Sequence, residues 1–258
     1  MRKLLLALFV FGALPGFAQK AFEGTWRVNV QSGEFKGHER YALQDGVWHC
    51  YTCVPEMSVT ADGGPHKVTG SPYYDTATVR EVNDQTVEIT REKNGKPAGT
   101  NTMTASDDGK TLTLQGTFIT DNGQNGTMTL TYDRVGNGPA SGNKVSGGWQ
   151  QRKLENASEN ITKFTFKASD DGLSMSDLLG DSYDAKFDGK DYPYQGDPGT
   201  TSVSLKKIDP NTIEETDKRN GKAINVSRMT VAADGKSMKI AVQDKLHNQT
   251  ANWTAEKE

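Results

Sequence analysis

The sequence predicts an all-β protein made of two tandem antiparallel up-and-down β-barrels, with about eight to ten strands each. Three observations point to this fold class: a long internal duplication, short segments in which apolar and polar residues alternate, and Asn-Gly or Asp-Gly dipeptides between those segments. A sheet of this many strands either closes on itself or exposes unpaired edges. We therefore expect each copy to curl into its own barrel.

The duplication relates residues 70–114 to residues 196–240 without a gap, at an offset of 126 positions. Thirteen of the 45 aligned pairs are identical, and they include the turns Asn94-Gly95 and Asn220-Gly221. Apolar positions also correspond, as Val79 does with Leu205. A gapless register that preserves both turns and apolar positions indicates that the chain contains two copies of one β unit.

Residues 1–18 have the features of a secretory signal. Arg2 and Lys3 precede an apolar run over residues 4–14, and the small residues around Phe17 predict cleavage after Ala18. A buried N-terminal helix is the alternative interpretation. The short basic start is typical of bacterial signals, which predicts a periplasmic or secreted protein.

Charge and hydropathy narrow the classes of function. Loss of the signal removes two basic residues and no acid, so the formal net charge changes from −3 to −5. The chain carries no basic stripe, which argues against nucleic-acid binding. No segment reaches the roughly 20 apolar residues that a membrane helix needs, so we expect no membrane insertion.

The elements follow in order along the mature chain. Trp26 opens the first strand of a barrel that we place at residues 19–134, and hairpin turns separate its later strands. Residues 135–147 are rich in Gly, Asn and Ser without an apolar period, which predicts a linker. The second barrel then spans residues 148–258, with one short helix expected over residues 174–179.

The motif Gly24-Thr25-Trp26, followed by a meander of hairpins, resembles the first strand of the calycin group, which contains lipocalins and fatty-acid-binding proteins. It is most similar to bacterial secreted lipocalin-like proteins, here as a tandem duplication. The resemblance implies that Trp26 plugs the closed end of a barrel and that Trp149, preceded by the signature residue Gly148, does so in the second copy. The lid helices and the Arg-x-Tyr clamp of fatty-acid-binding proteins have no counterpart in the sequence. The resemblance therefore implies a binding barrel without naming its ligand.

Cys50 and Cys53 are the only cysteines in the chain. In an oxidising compartment this spacing favours a local disulfide. A redox centre would need a helix N-terminus to activate one thiol, and the flanking sequence is typical of a strand and a turn. A metal site would need two further ligands, for which His49 and His66 are the candidates. Adjacent residues of a strand point to opposite faces, which argues against a site that uses both His49 and Cys50.

Four tyrosines flank the two copies of the duplicated segment: Tyr73 and Tyr74 in the first, Tyr192 and Tyr194 in the second. Aromatic rings with a polar tip suit the mouth of a ligand cavity, and they suit the packing of a barrel rim equally. Glu215 replaces an apolar residue of the first copy, which favours a strand that faces outward there. The sequence contains no nucleophile elbow, phosphate loop or metalloprotease motif, so we expect no enzyme activity, no metal and no cofactor.

These observations favour a non-enzymatic binding protein that holds a small, mostly apolar ligand in one or both barrels. The alternative is a structural or protein-interaction module of the cell envelope, with filled barrels whose outer faces contact a partner protein. A third hypothesis is a thiol or metal function at Cys50 and Cys53. The cavity volume and the redox state of the cysteines separate the three hypotheses.

Overall fold

The computed structural model describes residues 20–139 and 142–258 of the chain. Within these ranges the chain forms twenty β-strands, numbered β1 to β20 in chain order, and one three-residue 3-10 helix, Glu159–Ile161. The predicted signal peptide at residues 1–18 lies outside the described residues. In the described part of the chain, no helix has the length and apolar character needed to cross a membrane.

Ten strands form the first barrel, an antiparallel sheet in which most sequence neighbours pair as hairpins. They are β2 (Glu39–Gln44), β3 (Val47–Cys50), β4 (Met57–Thr60), β5 (Asp62–Lys67), β6 (Thr76–Asn83), β7 (Thr86–Lys93), β8 (Lys96–Ala105), β9 (Thr111–Ile119), β10 (Asn125–Asn137) and β11 (Gly147–Ala157). Strands β4 and β5 form the two edges of this sheet and lie side by side without pairing, so the barrel is nearly closed.

The other ten strands form the second barrel, which is fully closed. They are β1 (Gly24–Lys36), β12 (Lys163–Ala168), β13 (Gly172–Asp177), β14 (Ser182–Lys186), β15 (Tyr192–Gln195), β16 (Ser202–Asp209), β17 (Thr212–Arg219), β18 (Lys222–Val231), β19 (Ser237–Asp244) and β20 (Gln249–Lys257). The predicted fold class, an all-β protein with two antiparallel barrels of about eight to ten strands, is confirmed.

The two barrels exchange their first strands. Strand β1 pairs with β12 and β20 of the second barrel, whereas β11 pairs with β2 and β10 of the first. The predicted barrel boundaries, residues 19–134 and 148–258, are therefore wrong for these two strands. Both strands begin with the same Gly-x-Trp pattern. Either strand therefore has the side chains needed to form the first strand of either barrel.

A tryptophan closes one end of each barrel. Trp26 and Trp149 are fully buried, and each indole Nε1 donates to the backbone carbonyl four residues earlier, at 2.7 Å and 2.8 Å. A cation covers each ring: the Lys257 ammonium lies 4.8 Å from the Trp26 centroid, and the Arg134 guanidinium lies 4.0 Å from the Trp149 centroid. The two strands thus make equivalent contacts although each completes the barrel of the other copy.

The glycine of the second copy that matches Gly24 is Gly147. Both residues precede the tryptophan by two positions and have positive φ, +119° at Gly24 and +145° at Gly147, where L side chains are strained. A Cβ on Gly147 would also lie 2.6 Å from the carbonyl oxygen of Gly136. The predicted signature residue Gly148 instead occupies the place of Thr25.

The predicted linker, residues 135–147, is largely ordered structure. Strand β10 continues into it, and residues 142–146 pack against the closed end of the first barrel. Val145 is fully buried, and Ser146 Oγ accepts a 2.8 Å hydrogen bond from the Leu43 backbone N–H. The prediction of a linker separate from the barrels is wrong because these small polar residues satisfy backbone groups at the barrel end.

The short helix expected over residues 174–179 is also wrong. Residues 174–177 belong to β13, which pairs on both sides, with Leu173 fully buried opposite Ala185. A strand this short contains too few residues to establish a period of two, and tertiary pairing decides its conformation.

Equivalent positions of the duplication have equivalent places in the two barrels. Val79 in β6 and Leu205 in β16 are both fully buried. Asn94 and Asn220 have φ values of 53° and 51°, and each is followed by a glycine with positive φ, as two-residue hairpins require. The apolar alternation and the turn dipeptides thus predicted the corresponding structure in both copies.

Candidate ligand site between the barrel mouths

The end of each barrel opposite its tryptophan is formed by loops and tight turns. In the first barrel they include residues 51–56, residues 68–75 and the Asn94-Gly95 turn; in the second they include residues 178–181 and residues 196–201. Loops of both barrels line a single cavity of about 250 Å³, so the two mouths face each other.

The cavity combines apolar walls with charged groups that come from different barrels. The first barrel contributes Tyr73, Tyr74, Arg91, Ala98, Phe118, Ile119, Thr120 and Asp121, and the second contributes Leu179, Asp181, Gly196, Asp197 and Pro198. Sites for drug-sized ligands enclose roughly 300–1,000 Å³, so this cavity suits a smaller molecule.

A smaller void of about 80 Å³ lies inside the first barrel and shares Tyr74 and Arg91 with the larger cavity. Trp48, Met103 and the disulfide cysteines contribute to its walls. Below it, the interior is filled by the buried side chains of the core. The main space for a ligand therefore lies at the mouth of the first barrel and not within it.

Arg91 is an inward-facing charge at the mouth of the first barrel. It continues the inward series of β7 after the buried residues Val87 and Ile89. Its Nε is enclosed and has no hydrogen-bond acceptor among the described residues, and its guanidinium lies 5.5 Å from the centroid of the Tyr74 ring. Burial lowers the pKa of Arg91, yet an arginine remains charged at physiological pH. This guanidinium therefore has unused capacity to donate hydrogen bonds to an anion.

Asp181 belongs to the part of the cavity wall that the second barrel contributes, in the turn before β14. Its carboxylate accepts no hydrogen bond and forms no ion pair in the part of the chain that the structure describes. Burial raises the pKa of Asp181 to about 7, and repulsion from Asp177 and Asp197 adds to this effect. The carboxyl group thus faces the cavity without a partner of opposite charge.

Asp197 differs from Asp181 because its carboxylate is occupied. It accepts hydrogen bonds from the Gly199 backbone N–H at 2.8 Å and from Thr200 Oγ1 at 2.6 Å. The hydroxyl of Tyr73, from the first barrel, donates to it at 3.5 Å and so bridges the two mouths. Burial and the nearby Asp197 raise the pKa of Tyr73 above its ordinary value.

The second barrel holds acids where the first barrel holds an apolar and a basic residue. Glu215 and Asp217 occupy the places of Ile89 and Arg91 in the duplication. The Glu215 carboxylate accepts a hydrogen bond from the buried Tyr183 hydroxyl. Asp217 Oδ1 is enclosed and has no partner among the described residues. The first barrel therefore has a base near its mouth where the second barrel has acids.

The expectation that β17 faces outward at Glu215 is wrong. Burial, reinforced by Asp217, raises the pKa of Glu215 to about 8, and burial together with Asp197 raises the pKa of Asp217 to about 7. An inward carboxyl is tolerated here because it can stay protonated and because Tyr183 bonds to it.

The four tyrosines predicted at a cavity mouth have different places. Tyr73 and Tyr74 line the cavity. Tyr194 packs 5.9 Å from Tyr183, ring centroid to ring centroid, within the second barrel. Tyr192 donates a 3.2 Å hydrogen bond to Asp188 at the same barrel. The first pair thus belongs to the candidate site, and the second pair packs against the core.

Cys50 and Cys53 form a disulfide in the loop between β3 and β4, as predicted, and no free cysteine remains in the described residues. Cys50 is buried, whereas the neighbouring His49 lies on the other face and contacts Ser58 at 2.9 Å. His66 contacts Asp62 instead of the cysteines. Within the described ranges, no group of three or more His, Cys, Asp or Glu residues is arranged to hold a metal ion.

Sequence reasoning missed Arg91, Asp181 and Asp217. The signal for Arg91 was present, because the alternation that makes Val87 and Ile89 inward also makes Arg91 inward. Asp181 carries no such signal, since it lies in a turn whose orientation depends on the packing of the two barrels.

No protein-family model matches this chain, and no curated protein is significantly similar to it.

Proposed function

We propose that the protein is a secreted, non-enzymatic binding protein whose small ligand occupies the cavity between the two barrel mouths. In this proposal the ligand presents an anionic group to Arg91 and an apolar body to the surrounding walls. The observation that carries the proposal is that Arg91 lines the cavity, forms no ion pair with a described residue and has an Nε without an acceptor there.

Arg91 is partly buried and the Tyr74 ring beside it carries no charge, so an anionic ligand would supply the opposite charge that the guanidinium lacks. A carboxylate or phosphate can accept two parallel hydrogen bonds from a guanidinium, which adds geometric selectivity. Phe118, Ile119 and Leu179 provide apolar contacts beside this group. The chemistry of the walls therefore favours a small amphipathic anion over a fully apolar molecule.

The proposed location outside the cytoplasm and the proposed class of binding protein each have further support. The predicted signal peptide, together with the disulfide between Cys50 and Cys53, fits a periplasmic or extracellular protein. The Gly-x-Trp barrels support a lipocalin-like binding protein, with the ligand at the mouths instead of deep in each barrel.

Calorimetric titration of the mature protein with hexanoate and octanoate tests the proposal. We expect saturable binding, with affinity at least about ten-fold weaker in R91M because a charge-assisted hydrogen bond contributes about 1.5–3 kcal/mol. R80M is the matched control, since Arg80 is 59% exposed and pairs with Glu88 on the outer surface. Absence of saturable binding by both acids, or equal binding by wild type and R91M, would contradict the proposal.

A structural or protein-interaction module remains the second candidate. It is favoured by two exposed apolar residues at equivalent places of the barrels, Val82 and Ile208, which are 47% and 45% exposed. Cross-linking in a periplasmic extract would favour this candidate if one stoichiometric envelope protein is captured by wild type and lost in V82D/I208D. Capture that is unchanged in this double variant would contradict it.

A further inference from the structure

We propose that the ligand of the inter-barrel cavity is a zwitterion, with an anionic group at Arg91, an ammonium group at Asp181 and an apolar segment between them. This inference rests on the proposed function, because it requires the same cavity to bind a ligand. It extends that function by naming the chemical class of the ligand.

The first argument is that two opposite charges face one cavity without neutralising each other. Arg91 and Asp181 both line it, and no ion pair joins them. Arg91 Nε lacks an acceptor, and the Asp181 carboxylate lacks a donor, among the residues that the structure describes. Both side chains therefore line the cavity without a partner of opposite charge, and a ligand that carries both charges would supply one to each.

The second argument is that the other charged groups of the cavity are already paired. Asp121 forms a 2.9 Å ion pair with Lys93 Nζ. Asp197 accepts hydrogen bonds from Thr200 and from the Gly199 backbone. Among the charged side chains that line the cavity, Arg91 of the first barrel and Asp181 of the second are therefore the two left to bind a ligand.

The third argument concerns the field across the cavity. Asp177 and Asp197 lie close enough to Asp181 to repel its charge, and Asp197 also lies close enough to Asp217 to repel its charge. The mouth of the second barrel is therefore acidic, and it disfavours a ligand that carries only negative charge. A ligand whose other end carries an ammonium group is instead attracted by these carboxylates.

The fourth argument is that apolar side chains line the same cavity as the two charges. Phe118 and Ile119 of the first barrel and Leu179 and Pro198 of the second line the same cavity. An α-amino acid carries both charges on one carbon and would bring them to one wall. An ω-amino acid or a short apolar peptide carries its charges at opposite ends, which suits two charged groups that come from different barrels.

Calorimetry at pH 8 with three probes of matched length tests the inference: 6-aminohexanoate, hexanoate and hexylamine. We expect wild type to bind 6-aminohexanoate at least about ten-fold tighter than either hexanoate or hexylamine, because each of these two satisfies only one of the charged groups. D181N is expected to abolish the preference for 6-aminohexanoate without weakening hexanoate binding. R91M is expected to weaken both acids, and D184N, a change at an exposed position of β14, is the matched control.

The outcomes separate the two proposals. If wild type binds hexanoate as tightly as 6-aminohexanoate, the zwitterion inference is overturned while the proposed anion site stands. A preference for 6-aminohexanoate that persists in D181N also overturns it, because the ammonium would then lie elsewhere. If none of the three probes nor octanoate binds, the proposed function fails and the inference fails with it.

Discussion

Replacement of Glu215 by glutamine tests whether the second barrel holds an acid that is kept protonated. The Glu215 carboxyl is enclosed by the barrel, and the neighbouring Asp217 adds repulsion when both groups ionise. Glutamine has the same length and can still accept the hydrogen bond from Tyr183, but it never acquires a charge. We expect E215Q to be more stable than wild type at neutral and alkaline pH, and close to wild type near pH 4.

The magnitude follows from the pKa of Glu215, which is raised from 4.5 to about 8. Between these pH values the folded state binds more protons than the unfolded state, so the free energy of unfolding falls as the pH rises. At about 1.4 kcal/mol for each pKa unit, and because Glu215 and Asp217 titrate as a pair, the loss amounts to several kcal/mol above pH 8, with part of it already present at pH 7. This loss is absent from E215Q.

Urea denaturation of the mature protein between pH 4 and pH 9 measures this effect. The stability difference between E215Q and wild type should grow by several kcal/mol across this range. E214Q is the matched control, since Glu214 precedes Glu215 on β17 and points to the opposite face of the sheet, and it should stay within about 0.5 kcal/mol of wild type. Parallel pH profiles for E215Q and wild type would refute the reasoning.

Two further predictions concern stability. Trp149→Ala removes a fully buried indole together with its hydrogen bond and its contact with Arg134, so we expect the free energy of unfolding in urea to fall by about 3–5 kcal/mol. W149F should lower it clearly less, and equal losses in the two variants would contradict a role for indole Nε1. Reduction of the disulfide releases a loop with a sequence separation of 3, which the chain-entropy relation values at about 2 kcal/mol. Dithiothreitol should therefore lower the denaturation midpoint of wild type but not that of C50S/C53S, and an unchanged wild-type midpoint would contradict a native disulfide.

The architecture of each barrel could be predicted because its causes are local. Alternation in β7 places Val87 and Ile89 inside, and the Asn94-Gly95 turn joins β7 to β8 as expected. The duplication then transfers these assignments to the second copy, where Ile213 is buried as Val87 is. The same reasoning carried two residues further would have placed Arg91 inside the first barrel.

The partner of each first strand could not be predicted from sequence. Trp26 and Trp149 each lie near the start of a strand with the Gly-x-Trp pattern. Each ring also contacts a cation near the end of a neighbouring strand, Lys257 of β20 for Trp26 and Arg134 of β10 for Trp149. Local sequence is therefore equally compatible with exchanged and unexchanged barrels. The choice depends on the connections between the copies, which carry no periodic signal.

The candidate site also could not be predicted, because it forms only when the two mouths meet. Asp181 lies in a turn, and the turn contacts the first barrel through the hydrogen bond from Asn122 Nδ2 to the Leu179 carbonyl at 2.8 Å. The charge at Glu215 was misinterpreted because an acid inside a barrel is unfavourable without the bond from Tyr183. That bond joins residues 32 positions apart and has no local signature.

The exchange of first strands brings the two barrels together and is the central claim about this fold. Arg27 of β1 lies opposite Glu256 of β20 on the outer surface. In unexchanged barrels β1 would occupy the place of β11, where Gln150 lies opposite Asp133 of β10. Cysteine pairs at these positions distinguish the two arrangements, since paired strand residues lie within the Cα separation that a disulfide spans.

Oxidation of monomeric R27C/E256C and R27C/D133C, followed by peptide mapping by mass spectrometry, is the most direct test. We predict a disulfide within one chain between positions 27 and 256, and free thiols at positions 27 and 133. A disulfide in R27C/D133C with free thiols in R27C/E256C would contradict the exchange.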